Sequence, residues 1–100
     1  MSNTIQDNSA RGRFELDIDG HVAFMNYRSS PGVITLTHTE VPPELGGKGV
    51  GTRLARAVLD IARQRGLKLV VQCDFVQAYL SKHPEFNDLL RSPAQIFVDP

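Results

Sequence analysis

The chain has one cysteine, no tryptophan, no excess of either charge and no long hydrophobic run. Cys73 alone cannot form an internal disulfide or a cysteine-based zinc site, so packing must stabilise the fold. Eleven basic and eleven acidic residues cancel, which removes the broad positive surface that binds nucleic-acid phosphates. No apolar run approaches the roughly 18 residues of a membrane span, and the polar start lacks the apolar centre of a secretion signal. We therefore expect a cytoplasmic protein with neither nucleic-acid nor membrane partners.

The length of 100 residues suits one small domain with a hydrophobic core and leaves little room for a second. Residues 1–12 are small or polar and show no periodicity. We therefore predict a flexible N-terminal leader over residues 1–12 and a single domain over residues 13–100. Any functional site must then be built on that one core.

The first half of the domain has the alternation of antiparallel strands. Apolar and acidic residues alternate over residues 14–19, and Asp19-Gly20 supplies the residues of a tight hairpin turn. Extended patterns follow at residues 22–27 and 33–41. Pro42-Pro43 has no N–H groups to give, so we expect strand pairing to end there.

The second half has the pattern of a strand–helix–strand unit. Apolar residues at helical spacing over residues 50–62 predict a long helix packed on a sheet, and Gly66 suits a left-handed cap behind it. Residues 67–71 predict a buried strand, which implies a parallel crossover. A shorter helix is predicted over residues 74–82 and is stopped by His83-Pro84.

These elements predict an α+β (α/β) fold of antiparallel strands, a β-α-β crossover and a short C-terminal helix. Residues 95–98 favour a further edge strand.

Four glycines and a lysine lie between the third strand and the long helix, in the segment Glu44-Leu45-Gly46-Gly47-Lys48-Gly49-Val50-Gly51. Glycines let the backbone turn tightly and approach a ligand, so successive N–H groups can meet an anion beside a helix N-terminus, here expected near Lys48. The segment contains neither a Gly-x-Gly-x-x-Gly fingerprint nor a P-loop. It predicts a site for a pyrophosphate-bearing ligand, although an ordinary tight turn would use the same residues.

This order of strand, glycine loop, long helix and strand resembles the core motif of the GNAT superfamily of acetyl-CoA-dependent N-acetyltransferases. Gly49 and Gly51 match the glycines of its Arg/Gln-x-x-Gly-x-Gly/Ala pattern, whereas Gly46 stands where the family has arginine or glutamine. The chain is most similar to a branch of short, single-domain members. That branch is marked by a His-Thr-Glu-Val-Pro strand end, a cysteine after the next strand and a His-Pro-Glu-aromatic segment, here His38–Pro42, Cys73 and His83–Phe86.

The resemblance covers roughly residues 14–90 and implies a truncated GNAT-like fold. It further implies acetyl-CoA (CoA) as the cofactor and an amine as the acceptor, in a small molecule or at a protein lysine or N-terminus. The cofactor-binding positions that it implies, together with the glycine loop, are Thr39, Val41, Gly46, Gly47, Lys48, Gly49, Val50, Gly51, Arg53 and Cys73.

His38, Glu40 and Cys73 are the candidate catalytic residues. His38 and Glu40 are two positions apart in an extended segment, so they share a face, and an imidazole beside a carboxylate could accept the proton of an amine. The same pair could instead only fix the strand end. Cys73 lies at the carboxyl end of a predicted strand, where it could contact the cofactor, accept an acyl group or be a small buried residue.

The resemblance also implies a tyrosine that protonates the departing thiolate, but Tyr79 is offset by one from the position that matches, which Leu80 occupies. Three functions remain open at this point. The first is acetyl transfer to a primary amine, the second is a CoA or acyl-CoA binding module without turnover, and the third is a protein-interaction domain. The sequence leaves monomer and homodimer undecided.

Overall fold

A computed structural model describes residues 5–90, which form a five-stranded sheet with helices packed on it. The strands are β1 (Ile5–Asn8), β2 (Arg13–Ile18), β3 (His21–Ser30), β4 (Val33–Glu40) and β5 (Lys68–Val71). The helices are α1 (Val50–Gln64) and α2 (Asp74–Lys82), with 3-10 helices at Pro43–Leu45 and Pro84–Leu89. This architecture confirms the predicted α+β fold. Residues 95–98, the predicted edge strand, lie outside the described part.

The strands follow the order β1-β2-β3-β4-β5 across the sheet. Neighbouring strands from β1 to β4 are antiparallel, and β4 pairs with β5 in parallel. The parallel pair confirms the predicted crossover, because a helix is needed to carry the chain back to the same end of the sheet. Asp19 and Gly20 both have positive φ, 54° and 85°, as a two-residue hairpin turn between β2 and β3 requires.

The prediction of a flexible leader was wrong for residues 5–8. These residues form β1, which pairs antiparallel with β2 from Ile5 opposite Leu16 to Asn8 opposite Arg13. Asp7 fixes this strand to the rest of the domain, because it accepts hydrogen bonds from the Tyr27 hydroxyl and the Arg65 guanidinium. The polar sequence of residues 5–8 has no periodicity that predicts a strand, so contacts with distant residues stabilise the strand instead.

Helix α1 packs against the sheet with the residues that its periodicity selects. Its buried residues are Val50, Leu54, Ala55, Val58, Leu59 and Ala62. The helix begins at Val50 and not near Lys48, because Gly49 has a left-handed backbone with φ of 71° and cannot continue a helix. Helix α2 has the predicted bounds. Within residues 5–90, no helix is long and apolar enough to cross a membrane.

Candidate functional site

The parallel strands β4 and β5 separate before β4 ends. Their pairing runs from Val33 opposite Lys68 to Leu36 opposite Val71, and the Gln72 N–H then donates to the Leu36 carbonyl at 2.9 Å. Beyond this point β4 continues to Glu40 and pairs with β3. The separation leaves a cleft of about 320 Å³, which we call the split-strand cleft. It is lined by Thr37, His38, Thr39, Gln72, Cys73, Asp74 and Phe75.

A β-bulge in β4 changes the side of the sheet on which the following side chains lie at this cleft. Tyr27 in β3 lies opposite Leu36, but the preceding residue, Asn26, lies opposite His38, so Thr37 is an extra residue in β4. The Thr37 hydroxyl donates to the Asn26 carbonyl at 3.3 Å. An inserted residue shifts the alternation by one, so every side chain after it changes face.

The bulge turns His38 and Glu40 away from the core. Uninterrupted alternation from the buried Leu36 would have placed them on the covered face of the sheet. Instead, Thr39 takes that face, since it lies opposite Met25, which is fully buried. His38 and Glu40 therefore share the other face, as their spacing predicted.

The side chains of His38 and Glu40 are hydrogen-bonded to each other at the end of β4. Nε2 of His38 lies 2.8 Å from Oε1 of Glu40, and both side chains are 58% exposed. Because the carboxylate accepts a hydrogen bond from Nε2, the other ring nitrogen is left free to exchange a proton when the imidazole is neutral. A solvent-accessible pair of this kind can take up a proton from an amine at the mouth of the split-strand cleft.

Cys73 lies on the opposite wall of this cleft, at the residue before α2. It is 5% exposed, and its Sγ lies 3.2 Å from the Thr39 hydroxyl oxygen. Its carbonyl accepts the first backbone hydrogen bond of α2, from the Gln77 N–H at 3.0 Å. The structure thus brings together Thr39 and Cys73, two of the residues that the sequence predicts for the site.

The glycine loop leads from a 3-10 helix into α1. The Leu45 and Gly46 N–H groups donate to Pro42 and Pro43 at 2.9 and 3.0 Å, so the Gly46 N–H already has a partner within the loop. Gly47 has φ of 77°, and a Cβ at either Gly47 or Gly49 would meet open space. These positions are glycine because of backbone conformation and not because of crowding.

The start of α1 presents backbone donors to this loop. The first hydrogen bond of the helix joins the Arg53 N–H to the Gly49 carbonyl at 3.0 Å. The N–H groups of the first turn, at Val50, Gly51 and Thr52, therefore precede the helical ladder and point out of its N-terminal end, where the helix dipole is positive. Donors arranged in this way at a helix N-terminus are suited to binding an anion.

A second cleft, of about 290 Å³, opens beside these donors, and we call it the glycine-loop cleft. Val41 and Leu45 form its apolar side. Its remaining lining residues are Gly46, Gly47, Gly49, Val50, Gly51, Thr52 and Phe75. Lys48 is exposed in the same turn, whereas Arg53 lines a neighbouring groove together with Arg56. Neither of the two predicted cations is thus among the lining residues of this cleft.

Sequence reasoning missed Phe75, which lines both clefts. Its ring is 40% exposed, and a Cβ added to Gly51 would lie 2.8 Å from its Cζ atom. One signal was present, because Val76 and Leu80 already provide the buried side of α2 and leave an adjacent phenylalanine unexplained. The spacing of residues along α2 does not show which neighbouring residue the Phe75 ring covers.

Tyr79 does not lie where a residue that protonates the departing thiolate would be expected. It is 7% exposed, and its ring stacks on the His83 imidazole with centroids 4.2 Å apart. It lines a groove between α1 and α2 together with Thr52, Phe75 and Lys82, among others. Among the described residues, those that line the split-strand cleft do not include Tyr79.

Comparison with known proteins assigns the chain to a family. Residues 13–89 match the family model described as GCN5-related N-acetyl-transferase. The chain therefore belongs to the GCN5-related N-acetyltransferase (GNAT) family, a family that generally uses acetyl-CoA. The resemblance inferred from the glycine loop and the His-Thr-Glu-Val-Pro strand end is confirmed.

Individual relatives agree with this assignment. The chain is 36% identical over 52 residues to Protein NATD1 of Gallus gallus, Mus musculus and Homo sapiens. The aligned part covers 52% of this chain but only 47% of the chicken and mouse proteins. The solution structure of a GCN5-like protein from Staphylococcus aureus is 34% identical, with a TM-score of 0.67 and 90% of each chain covered.

Proposed function

We propose that this protein binds acetyl-CoA and transfers its acetyl group to a primary amine. The observation that carries the proposal is the adjacency of two features. Backbone donors at the start of α1, which have no partner among residues 5–90, lie beside the glycine-loop cleft, and Phe75 lines both that cleft and the split-strand cleft. An anion site joined to a separated strand pair suits a ligand with phosphates at one end and a thioester at the other.

The glycine loop would hold the pyrophosphate through backbone groups. Gly47 and Gly49 are open at the Cβ position, so phosphate oxygens can approach the main chain closely. Lys48 would add a positive charge from the same turn. Gly46 offers no side chain, and its N–H is bonded to Pro43, so we propose that it shapes the loop and does not itself hold phosphate.

The end of β4 would hold the acyl end. Bound acetyl-CoA supplies an activated acetyl thioester to this site. Residues Thr39 and Val41 lie where β4 has left β5, so a backbone N–H there can donate to an oxygen on which negative charge develops. Such a fixed donor is worth about 10²–10³ in rate when it is aimed at the developing charge.

His38 and Glu40 would remove the proton of the attacking amine. His38 lines the split-strand cleft, and both side chains of the pair are open to solvent, so an amine or a bridging water can reach His38. Glu40 holds the imidazole in the orientation that leaves its other nitrogen free, which makes His38 the acceptor and Glu40 the positioning partner. Cys73 would contact the acyl end of the ligand, with no covalent intermediate required.

A second function, CoA or acyl-CoA binding without turnover, is favoured by one specific observation. Where the wider family pattern has arginine or glutamine, this chain has Gly46, whose N–H is already used within the loop. A loop with fewer donors would bind the pyrophosphate less tightly and hold the thioester less firmly against β4. Binding and turnover must therefore be measured separately.

Calorimetric titration with acetyl-CoA tests the binding step, with Gly49→Val as the test variant. Valine at a φ of 71° is strained and would also block approach to the loop, so we expect binding to be lost. Gly32→Val is the matched control, because Gly32 has φ of 73°, equally open surroundings and a position in the distant β3–β4 turn. Equal binding by both variants would contradict the proposed pyrophosphate site.

Incubation with labelled acetyl-CoA and a panel of amines and basic peptides tests the turnover step. We expect label to appear on a primary amine and not on the protein itself. Binding without transfer to any member of a broad panel would support the binding module instead.

A further inference from the structure

Phe75 is the large hydrophobic side chain that residues 5–90 leave most clearly exposed, with 40% of its surface accessible. Core packing does not require it there. The buried side of α2 is provided by Val76, Tyr79 and Leu80, which are 0%, 7% and 2% exposed. An aromatic ring exposed to water lacks the stabilisation that burial provides. A ligand that covers the Phe75 ring would therefore be stabilised by the contact.

The glycine loop makes room for this ring. The Phe75 Cζ, Cε1 and Cε2 atoms would lie 2.8, 3.3 and 3.4 Å from a Cβ at Gly51. Gly51 has a helical backbone, so a positive φ is not the reason that this residue is glycine. The reason is the contact with the Phe75 ring. Glycine is less favourable than alanine within a helix, and the close approach of the ring gives a reason for its presence here.

The ring stands at the junction of three cavities. It lines the split-strand cleft beside Cys73, the glycine-loop cleft beside Val41 and the α1–α2 groove beside Lys82. A ligand that occupies the first two cavities at once must pass along this ring. A thin, flexible chain suits this path, because the ring already packs against the backbone at Gly51.

We propose that Phe75 is a positioning residue that packs against the pantetheine arm of acetyl-CoA between the glycine loop and Cys73. This inference rests on the proposed function and adds the residue that guides the arm. The ring covers the apolar part of the arm, which removes the exposed aromatic surface from water and holds the thioester beside Thr39. The glycine loop, and not Phe75, would bind the phosphates.

The test compares two ligands by calorimetry. CoA carries the arm, whereas adenosine 3′-phosphate 5′-diphosphate has the same nucleotide and lacks it. We expect Phe75→Ala to weaken CoA binding about five- to tenfold, as truncation of a buried aromatic anchor does, and to leave binding of the truncated nucleotide unchanged. Phe75→Tyr keeps the ring and should keep the affinity for CoA. Phe24→Ala, which removes the aromatic ring held under Arg13, is the control and should not alter either affinity.

Each outcome decides between the two proposals. Unchanged CoA affinity in Phe75→Ala, or equal weakening of both ligands, would overturn the role of Phe75 while leaving the cofactor site in place. If the unaltered protein binds neither ligand, the proposed function itself fails. Melting temperatures of all variants identify any that lose ligand only because they unfold.

Discussion

The Thr39 hydroxyl oxygen lies 3.2 Å from the Cys73 Sγ and joins the end of β4 to the start of α2 across the split-strand cleft. The contact links the two walls at the level where we propose that the acyl group lies. It also gives Cys73 a structural role that does not depend on its nucleophilicity, because a hydroxyl at the same position could make the same contact.

Cys73→Ser should therefore keep most of the acetyl-transfer activity. Serine retains a hydrogen-bonding group beside Thr39 but is a much weaker acyl acceptor than a thiol. We expect a loss of less than about tenfold in the rate of transfer from labelled acetyl-CoA, with Cys73→Ala as the control that removes the contact. A loss beyond a hundredfold in a folded Cys73→Ser variant, with label trapped on the unaltered protein, would instead demand a covalent route.

Glu40→Gln should lower turnover without lowering affinity for acetyl-CoA. The substitution removes the carboxylate that orients the His38 imidazole, so proton removal from the amine should slow by about 10²-fold, the lower end of general-base contributions. Glu85→Gln is a matched control, since Glu85 is 56% exposed, lies 3.0 Å from a histidine two residues before it, His83, and is outside both clefts. Equal rates in the two variants would remove His38 and Glu40 from the mechanism. Rates and calorimetric affinities must be measured on the same preparations.

The sequence predicted the scaffold of the site because that scaffold depends on local rules. The Asp19-Gly20 turn, the bounds of α2 and the glycine loop each follow from turn chemistry or helical periodicity. The pairing of His38 with Glu40 followed from alternation alone. The face on which the pair lies did not, because the extra residue at Thr37 leaves no local pattern and is visible only in the register with β3.

Contacts between distant residues were what sequence reasoning could not supply. β1 forms in a polar segment because Asp7 meets Tyr27 and Arg65, which are 20 and 58 residues away. Phe75 rests on Gly51 across the gap between two helices, and neither residue predicts the other. Tertiary contacts of this kind override local preference, and they include the residue that we infer guides the ligand.

Asp88→Ala should loosen the segment that follows α2. The Asp88 carboxylate accepts two hydrogen bonds from Arg63, at 2.8 and 3.1 Å, and this hydrogen bonding lowers the pKa of Asp88 below its ordinary value. Because the pKa is depressed in the folded state, the stabilisation is present above pH 4 or so and is lost as pH falls through the folded pKa. We expect the melting temperature at neutral pH to fall by roughly 2–5 °C, since the pair is exposed.

The pH dependence provides the check on Asp88. The difference in melting temperature between Asp88→Ala and the unaltered protein should shrink as pH is lowered toward 3. Asp60→Ala, which removes a carboxylate held by Arg56 at a longer distance of 3.8 Å, is the control and should have a smaller effect. A difference that stays constant down to pH 3 would show that charge is not the cause.

Tyr27 should make the protein less stable in alkali. Burial, and then its hydrogen bond to Asp7, raise the pKa of Tyr27 from 10.0 to about 12, against the opposing charge of Arg65. A folded pKa above the unfolded value means that the stabilisation is fully present below pH 10 and is lost as pH rises from about 10 to 12. Denaturant unfolding of Tyr27→Phe across this range should show a shallower fall in the free energy of unfolding than the unaltered protein does.

Asp7→Asn, which keeps an acceptor but removes the charge, should lie between them, because it relieves only part of the cost of ionising Tyr27. Parallel curves for all three proteins would mean that the link between β1 and β3 does not depend on the protonated phenol.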